Sequence, residues 1–133
     1  MLKKICLLFI FTGSFILFGC DEDTNTGCIC TEEYRMYNVV IIDSLNKPIK
    51  GLTISFVDVN GVERVVSTEI DPFFNSYMIM NDGFVELMSV SPKPFLVKAY
   101  KQNFNIKQTY YFYTDKCKCH VNKYSGPDTI KVM

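Results

Sequence analysis

The chain has little of what most protein chemistry needs. It carries one histidine, His120, and no glycine-rich loop able to cradle a phosphate. No Ser/His/Asp signature sits in a supporting context. The acidic residues Glu32, Glu33, Asp43, Asp58, Asp71 and Asp82 are scattered through expected strand ends and turns, where solvated loop positions account for them. The segment "DTNTG" at 23–27 lacks the full calcium-loop pattern. Fourteen basic side chains balance fourteen acidic ones with no dense basic patch, which argues against nucleic acid as a partner. No 11-residue window keeps a helical face, and no uncharged run reaches the roughly 20 residues of a membrane-spanning helix. These absences favour a non-enzymatic protein with no cofactor.

What is present begins at the amino terminus, "MLKKICLLFIFTGSFILFGC". Lys3 and Lys4 precede an uncharged run from Ile5 to Gly19, the layout of a secretory signal. Leu17, Gly19 and Cys20 in "LFGC" resemble the lipobox of bacterial lipoproteins, with Phe18 bulkier than the usual occupant of its place. The resemblance implies cleavage after Gly19 and lipidation of Cys20, anchoring the chain to membrane lipid. Two or more acyl chains anchor stably where one does not. Residues 1–19 are then a signal peptide, 20–30 the lipidated cysteine with a polar tether, and 31–133 the folded domain. The acidic "CDED" start of the tether resembles the surface-export signals of Bacteroidota lipoproteins, and a plain soluble spacer is the competing reading. Outer-membrane localisation follows, with the periplasmic or cell-surface side left open.

The mature chain of 114 residues has twelve basic and fourteen acidic side chains, enough length for one domain. From Thr31 onward its periodicity is that of strands. "YNVVIIDS", "LTISFVDV", "VERVVST", "SYMIM", "FVELMSV", "FLVKAYK", "FNIKQTYYFYT" and "TIKVM" are separated by turn formers such as "LNKPIKG", "NG" at 60–61, "NDG" at 81–83, "SPKP" and "SGPD". Leu52, Ile54 and Phe56 alternate against Thr53 and Ser55. Phe104, Ile106, Gln108, Tyr110 and Phe112 share one side of the longest run. Seven to eight short strands predict an all-β fold, a small antiparallel β-sandwich, with a small barrel as competitor.

In "VVIIDSLNKPIKGLTISFVDVNG" a strand ends at Asp43, a turn leads through Pro48-x-x-Gly51, and an alternating strand follows. This resembles the carboxypeptidase regulatory-like domains, as do "NDGFVEL" and "FLVKAYKQNF", over roughly residues 37–105. The resemblance implies a transthyretin-like (prealbumin-like) sandwich serving as an accessory module for folding, adhesion or contact with envelope proteins. The zinc-binding peptidase domain of the enzymes that give these domains their name has no counterpart here, so no metal ligand is carried over. The flanks "CICTEEYR" and "CKCHVNKYSGPDTI" resemble those of small Bacteroidota lipoproteins.

With Cys6 removed and Cys20 modified, four cysteines remain as Cys28-x-Cys30 and Cys117-x-Cys119. On an extended segment the two members of each pair point to one side. An exported protein meets an oxidising compartment, which favours disulfides. Four cysteines permit three pairings and the sequence does not choose among them. If the first and late strands lie side by side, as the resembled fold allows, the pairs meet as Cys28–Cys119 with Cys30–Cys117, or as Cys28–Cys117 with Cys30–Cys119. Such cross-terminal bonds are favoured over bonds inside each C-x-C, which strain local geometry. The competing reading is zinc held by Cys28, Cys30, Cys117, Cys119 or by three of them with His120. Its C-x-C spacing is tighter than the usual one.

The run "YYFYT" puts Tyr110 and Phe112 on one face and Tyr111 and Tyr113 on the other. The first face is expected to fill the core. Tyr111 and Tyr113 form either ordinary sheet surface or a contact surface for glycan or protein. The leading expectation is a non-enzymatic, membrane-tethered envelope lipoprotein acting as a structural or protein-interaction module. The alternative is a glycan- or small-ligand-binding surface lipoprotein.

Overall fold

A computed structural model of the chain describes residues 27–133. The expected signal peptide, Cys20 and most of the tether lie outside the described residues. Eight strands form: β1 (Met36–Ile42), β2 (Thr53–Val57), β3 (Glu63–Ser67), β4 (Tyr77–Asn81), β5 (Lys93–Lys101), β6 (Phe104–Thr114), β7 (Val121–Ser125) and β8 (Thr129–Lys131). A 3-10 helix, Asp82–Leu87, follows β4. The strands make an all-β sandwich of two sheets, one ordered β4-β1-β8 and the other β3-β2-β5-β6-β7.

Local sequence explains most of this. Alternation in β2, β5 and β6 turns Leu52, Ile54, Phe56, Phe95, Val97, Ala99, Tyr110 and Phe112 inward, where they meet Val39, Ile41, Ile79 and Met80 of the facing sheet. Phe95 packs edge-on against both Phe56 and Phe112, with centroids 5.5 and 5.9 Å apart. Between β1 and β2, Asp43 Oδ1 accepts the Leu45 and Lys47 backbone N–H groups, folding the turn that the sequence marks with Asn46 and Pro48.

The structure corrects the expected strand list in two places and the expected pairing in one. "FVELMSV" is not a strand. Asn81 caps Gly83 N–H with its side chain, and the 3-10 helix sets Phe84, Val85 and Leu87 against the core. Phe84 meets Phe56 edge-on at 5.0 Å. The eighth strand is β7, which runs into the SGPD turn; Val121 is its one buried residue. Pairing with β6, not alternation, makes it a strand. The sandwich is also mixed, because β1 and β8 run parallel. After β7 the chain crosses from one sheet to the other, so no hairpin dictates the direction in which β8 docks.

Register fixes what lies at each end. β6 rises toward Thr114, which pairs with Val121, and Lys93 at the start of β5 pairs with Phe112. The β6–β7 loop, the segment before β5, the β2–β3 hairpin and the chain entering β1 therefore share one end. The β1–β2 loop, the β3–β4 loop and the β5–β6 hairpin share the other.

Candidate functional site

The residues of chemical interest converge where the incoming strap, residues 27–35, crosses the β6–β7 loop. Asp115 Oδ1 accepts the backbone N–H groups of Cys117 and Cys119, and Lys118 between them has φ +51°. This turn presents both sulfurs to the strap. Cys28 bonds Cys117 and Cys30 bonds Cys119, with Cα–Cα distances of 5.5 and 5.2 Å and a sequence separation of 89 in each case. Of the two cross-terminal pairings that the sequence leaves open, this is the one in which the order is kept. The segments that meet are irregular chain rather than adjacent strands. Asp115, Cys117 and Cys119 set three donor atoms within 4.8 Å of one another, but both sulfurs are already bonded and offer no thiolate. The zinc reading of the four cysteines with His120 loses its ligands for that reason.

His120, immediately before β7, is buried. Its Nδ1 lies 2.7 Å from Asp82 Oδ2 and its Nε2 lies 2.9 Å from Thr31 Oγ1. Asp82 also accepts the Arg35 backbone N–H at 2.9 Å and the Val121 backbone N–H at 2.7 Å. Burial pushes the Asp82 carboxyl up, but these hydrogen bonds, with His120, outweigh it and hold the group below the ordinary aspartate value. An ionised carboxylate only accepts, so Nδ1 carries the proton that bonds Asp82 Oδ2, and Nε2 is left for the Thr31 hydroxyl. Arg35 adds a hydrogen bond from Nη1 to Asn122 Oδ1 at 2.5 Å. Asp82 N–H in turn donates to Arg35 O at 3.1 Å, so two cystines and a set of polar contacts hold the strap.

Hydroxyl, imidazole and carboxylate stand here in the connectivity of a nucleophile, a base and an orienting acid. A surface hollow beside the strap is lined by Glu33, Tyr34, Arg35, Met36 and Tyr37, and another, toward the β3–β4 loop, by residues including Met36, Asn38, Asp71 and Met78. Neither is lined by Thr31, His120 or Asp82. The arrangement can bind the strap to the domain through satisfied buried polar groups.

The sequence-selected tyrosines lie elsewhere, on the outer face of the five-stranded sheet. Tyr111 is exposed and pairs with Pro94 across to β5, while Tyr113 is half-buried and pairs with Asn122. Tyr124 of β7, which sequence reasoning passed over, is 69% exposed beside them. Further along the same face Glu63 bonds Lys98 Nζ and Ser55 Oγ, each at 2.6 Å, and these two contacts hold its carboxyl below the ordinary value.

Asp82 is the functional residue that the sequence hid. It sits in a turn-like "NDG", 38 residues from its partner, and counts there as solvated. Only the meeting of the β4 end with the β7 start buries it. No family model, no curated protein and no solved structure matches this chain.

Proposed function

We propose that the protein is a non-enzymatic, membrane-tethered envelope lipoprotein whose sandwich serves as a structural or protein-interaction module. The observation that carries the reading is the double cystine clamp placed at the end of the tether. A load arriving through a lipid anchor at Cys20 would pass into the sandwich through covalent bonds to the β6–β7 loop. The lipobox-like "LFGC" supplies the anchor in this reading, and the oxidised cysteines agree with an exported protein. The finer assignment, a transthyretin-like sandwich resembling the carboxypeptidase regulatory-like domains, rests on the Asp43 turn, Pro48 and Gly51. It fits two packed sheets whose β1–β2 connection folds on Asp43. The outer membrane is the expected location.

Intact mass of the mature protein from a bacterial host tests this. Acylated Cys20 as the first residue is expected, and Cys20→Ser should move the protein from the membrane fraction to the soluble one. A mature protein that keeps residues 1–19, or that is membrane-bound without Cys20, would refute the anchor.

A second reading, glycan or small-ligand binding, is favoured by the exposed rings of Tyr111, across from Pro94, and of Tyr124 on the neighbouring strand β7. Glycan-array binding that is lost in Tyr111→Ala and Tyr113→Ala would support it, and binding unchanged in both would count against that face.

A further inference from the structure

The strap enters the sandwich at one end, and several apolar side chains are exposed there. Ile29, between the two cystines, is 92% exposed. Register brings to the same end Val59 and Val62 of the β2–β3 hairpin and Val90 of the segment before β5, all exposed. Thr114 N–H donates to Ser89 O, which fixes the Val90 segment beside the top of β6. The cystines hold Ile29 on a backbone that cannot fold back to cover it. Tyr34, on the strap itself, is exposed as well.

We propose that this end of the domain rests against the phospholipid bilayer, with Ile29 and Val90 entering the interface. The inference rests on the lipid-anchor reading above and adds an orientation to it. Seven residues separate Cys20 from Cys28. Eight chain steps extend at most about 27 Å. β6, with 11 residues, is roughly 36 Å long. Turning the domain upside down would lift the strap about 36 Å from the membrane, farther than the tether can stretch. The strap end is thus the one that the tether keeps at the surface. Charge does not draw this end to a membrane, since Lys116 and Lys118 share it with Glu32, Glu33, Glu86 and Asp115, so the orientation rests on the reach of the tether. The opposite end, with Phe73 and Phe74 exposed on the β3–β4 loop, faces away from the membrane.

The chain contains no tryptophan, so a single introduced indole is an unambiguous reporter. Full-length lipoprotein carrying Ile29→Trp, Val90→Trp or Phe74→Trp is matured in a bacterial host and reconstituted into phosphatidylcholine vesicles with or without brominated acyl chains. Mass and vesicle flotation are recorded on each sample. All three sites are exposed, and thermal melts verify folding. Loss of emission in brominated vesicles is expected for Ile29→Trp and Val90→Trp, with emission of Phe74→Trp unchanged. A protein that floats but leaves Ile29→Trp unquenched, or quenches all three alike, overturns the orientation and leaves the anchor standing. A protein without acyl groups that does not float overturns the anchor, and the orientation with it.

Discussion

Asp82 Oδ2 lies 2.7 Å from His120 Nδ1, and the same carboxylate accepts the backbone N–H groups of Arg35 and Val121. One side chain from the start of the 3-10 helix therefore satisfies donors on the strap, on the residue before β7 and on β7 itself. Asp82→Ala should cost about 2–4 kcal/mol, because it leaves more than one shielded donor unpaired. Urea unfolding at neutral pH measures this. Asp82→Asn, which keeps an accepting oxygen, should cost less.

The same carboxyl gives the acid response a sign. Its value in the folded protein is depressed, so its stabilisation is fully present above the ordinary aspartate range. It is lost as the pH falls through the depressed folded value. Melting temperature against pH should be level near neutrality and decline in acid, and the Asp82→Asn protein should start lower and show the shallower decline. An identical slope in both proteins would assign acid unfolding to other groups.

The two cystines should be strongly non-additive. The first to form closes a loop of about 90 residues, which chain entropy values at about 4.6 kcal/mol. Once it exists, the second closes a ring of only about six residues and adds about 2 kcal/mol. Replacing either pair alone, Cys28 with Cys117 or Cys30 with Cys119, should thus lower stability by about 2 kcal/mol. Removing both should lower it by about 7 kcal/mol. Denaturant midpoints of the three variants check the pattern, and equal, additive losses would contradict it.

Tyr77 is fully buried, donates its hydroxyl hydrogen to Ile49 O and accepts the Leu52 N–H. It pins the chain between β1 and β2 to the start of β4. Tyr77→Phe keeps the ring but strands a buried N–H, and a loss of about 1–3 kcal/mol is expected from equilibrium unfolding.

These residues also show how far the sequence could be read. Leu52, Ile54 and Phe56 declared their strand because one face is core and period two survives in the letters. Tyr110 and Phe112 did so too, and both are fully buried. β7 was illegible, since a five-residue edge strand with one core residue carries no alternation. The 3-10 helix was misread because Phe84 and Leu87 repeat every three residues over too short a run to be told from a strand. The cysteines announced a clamp by spacing and redox logic, yet the choice of partners depended on a turn, with Lys118 in the left-handed region, that no spacing reveals. Asp82 and His120 were ordinary loop letters until tertiary contact gave each its partner.

Gly126 explains how the chain leaves β7 for β8, and it yields the most severe expected substitution. Its φ of +131° is one that a side chain rarely adopts, and a Cβ there would fall 2.1 Å from Tyr110 Cδ1. Tyr110 cannot retreat. Its ring is fully buried and stacked on Phe112, and its hydroxyl donates to Pro127 O at 2.8 Å. Burial raises the phenol pKa, so the hydroxyl keeps its donated proton at any ordinary pH. Gly126→Ala must then either displace a core ring or break that bond and move β8. A loss above about 3 kcal/mol is expected, combining backbone strain with overpacking. Gly61→Ala is the control, with φ +79° but nothing within 4 Å of its Cβ, so strain alone should cost it about 1 kcal/mol. If the two variants melt together, the Tyr110–Gly126 contact does not govern the crossing between the sheets.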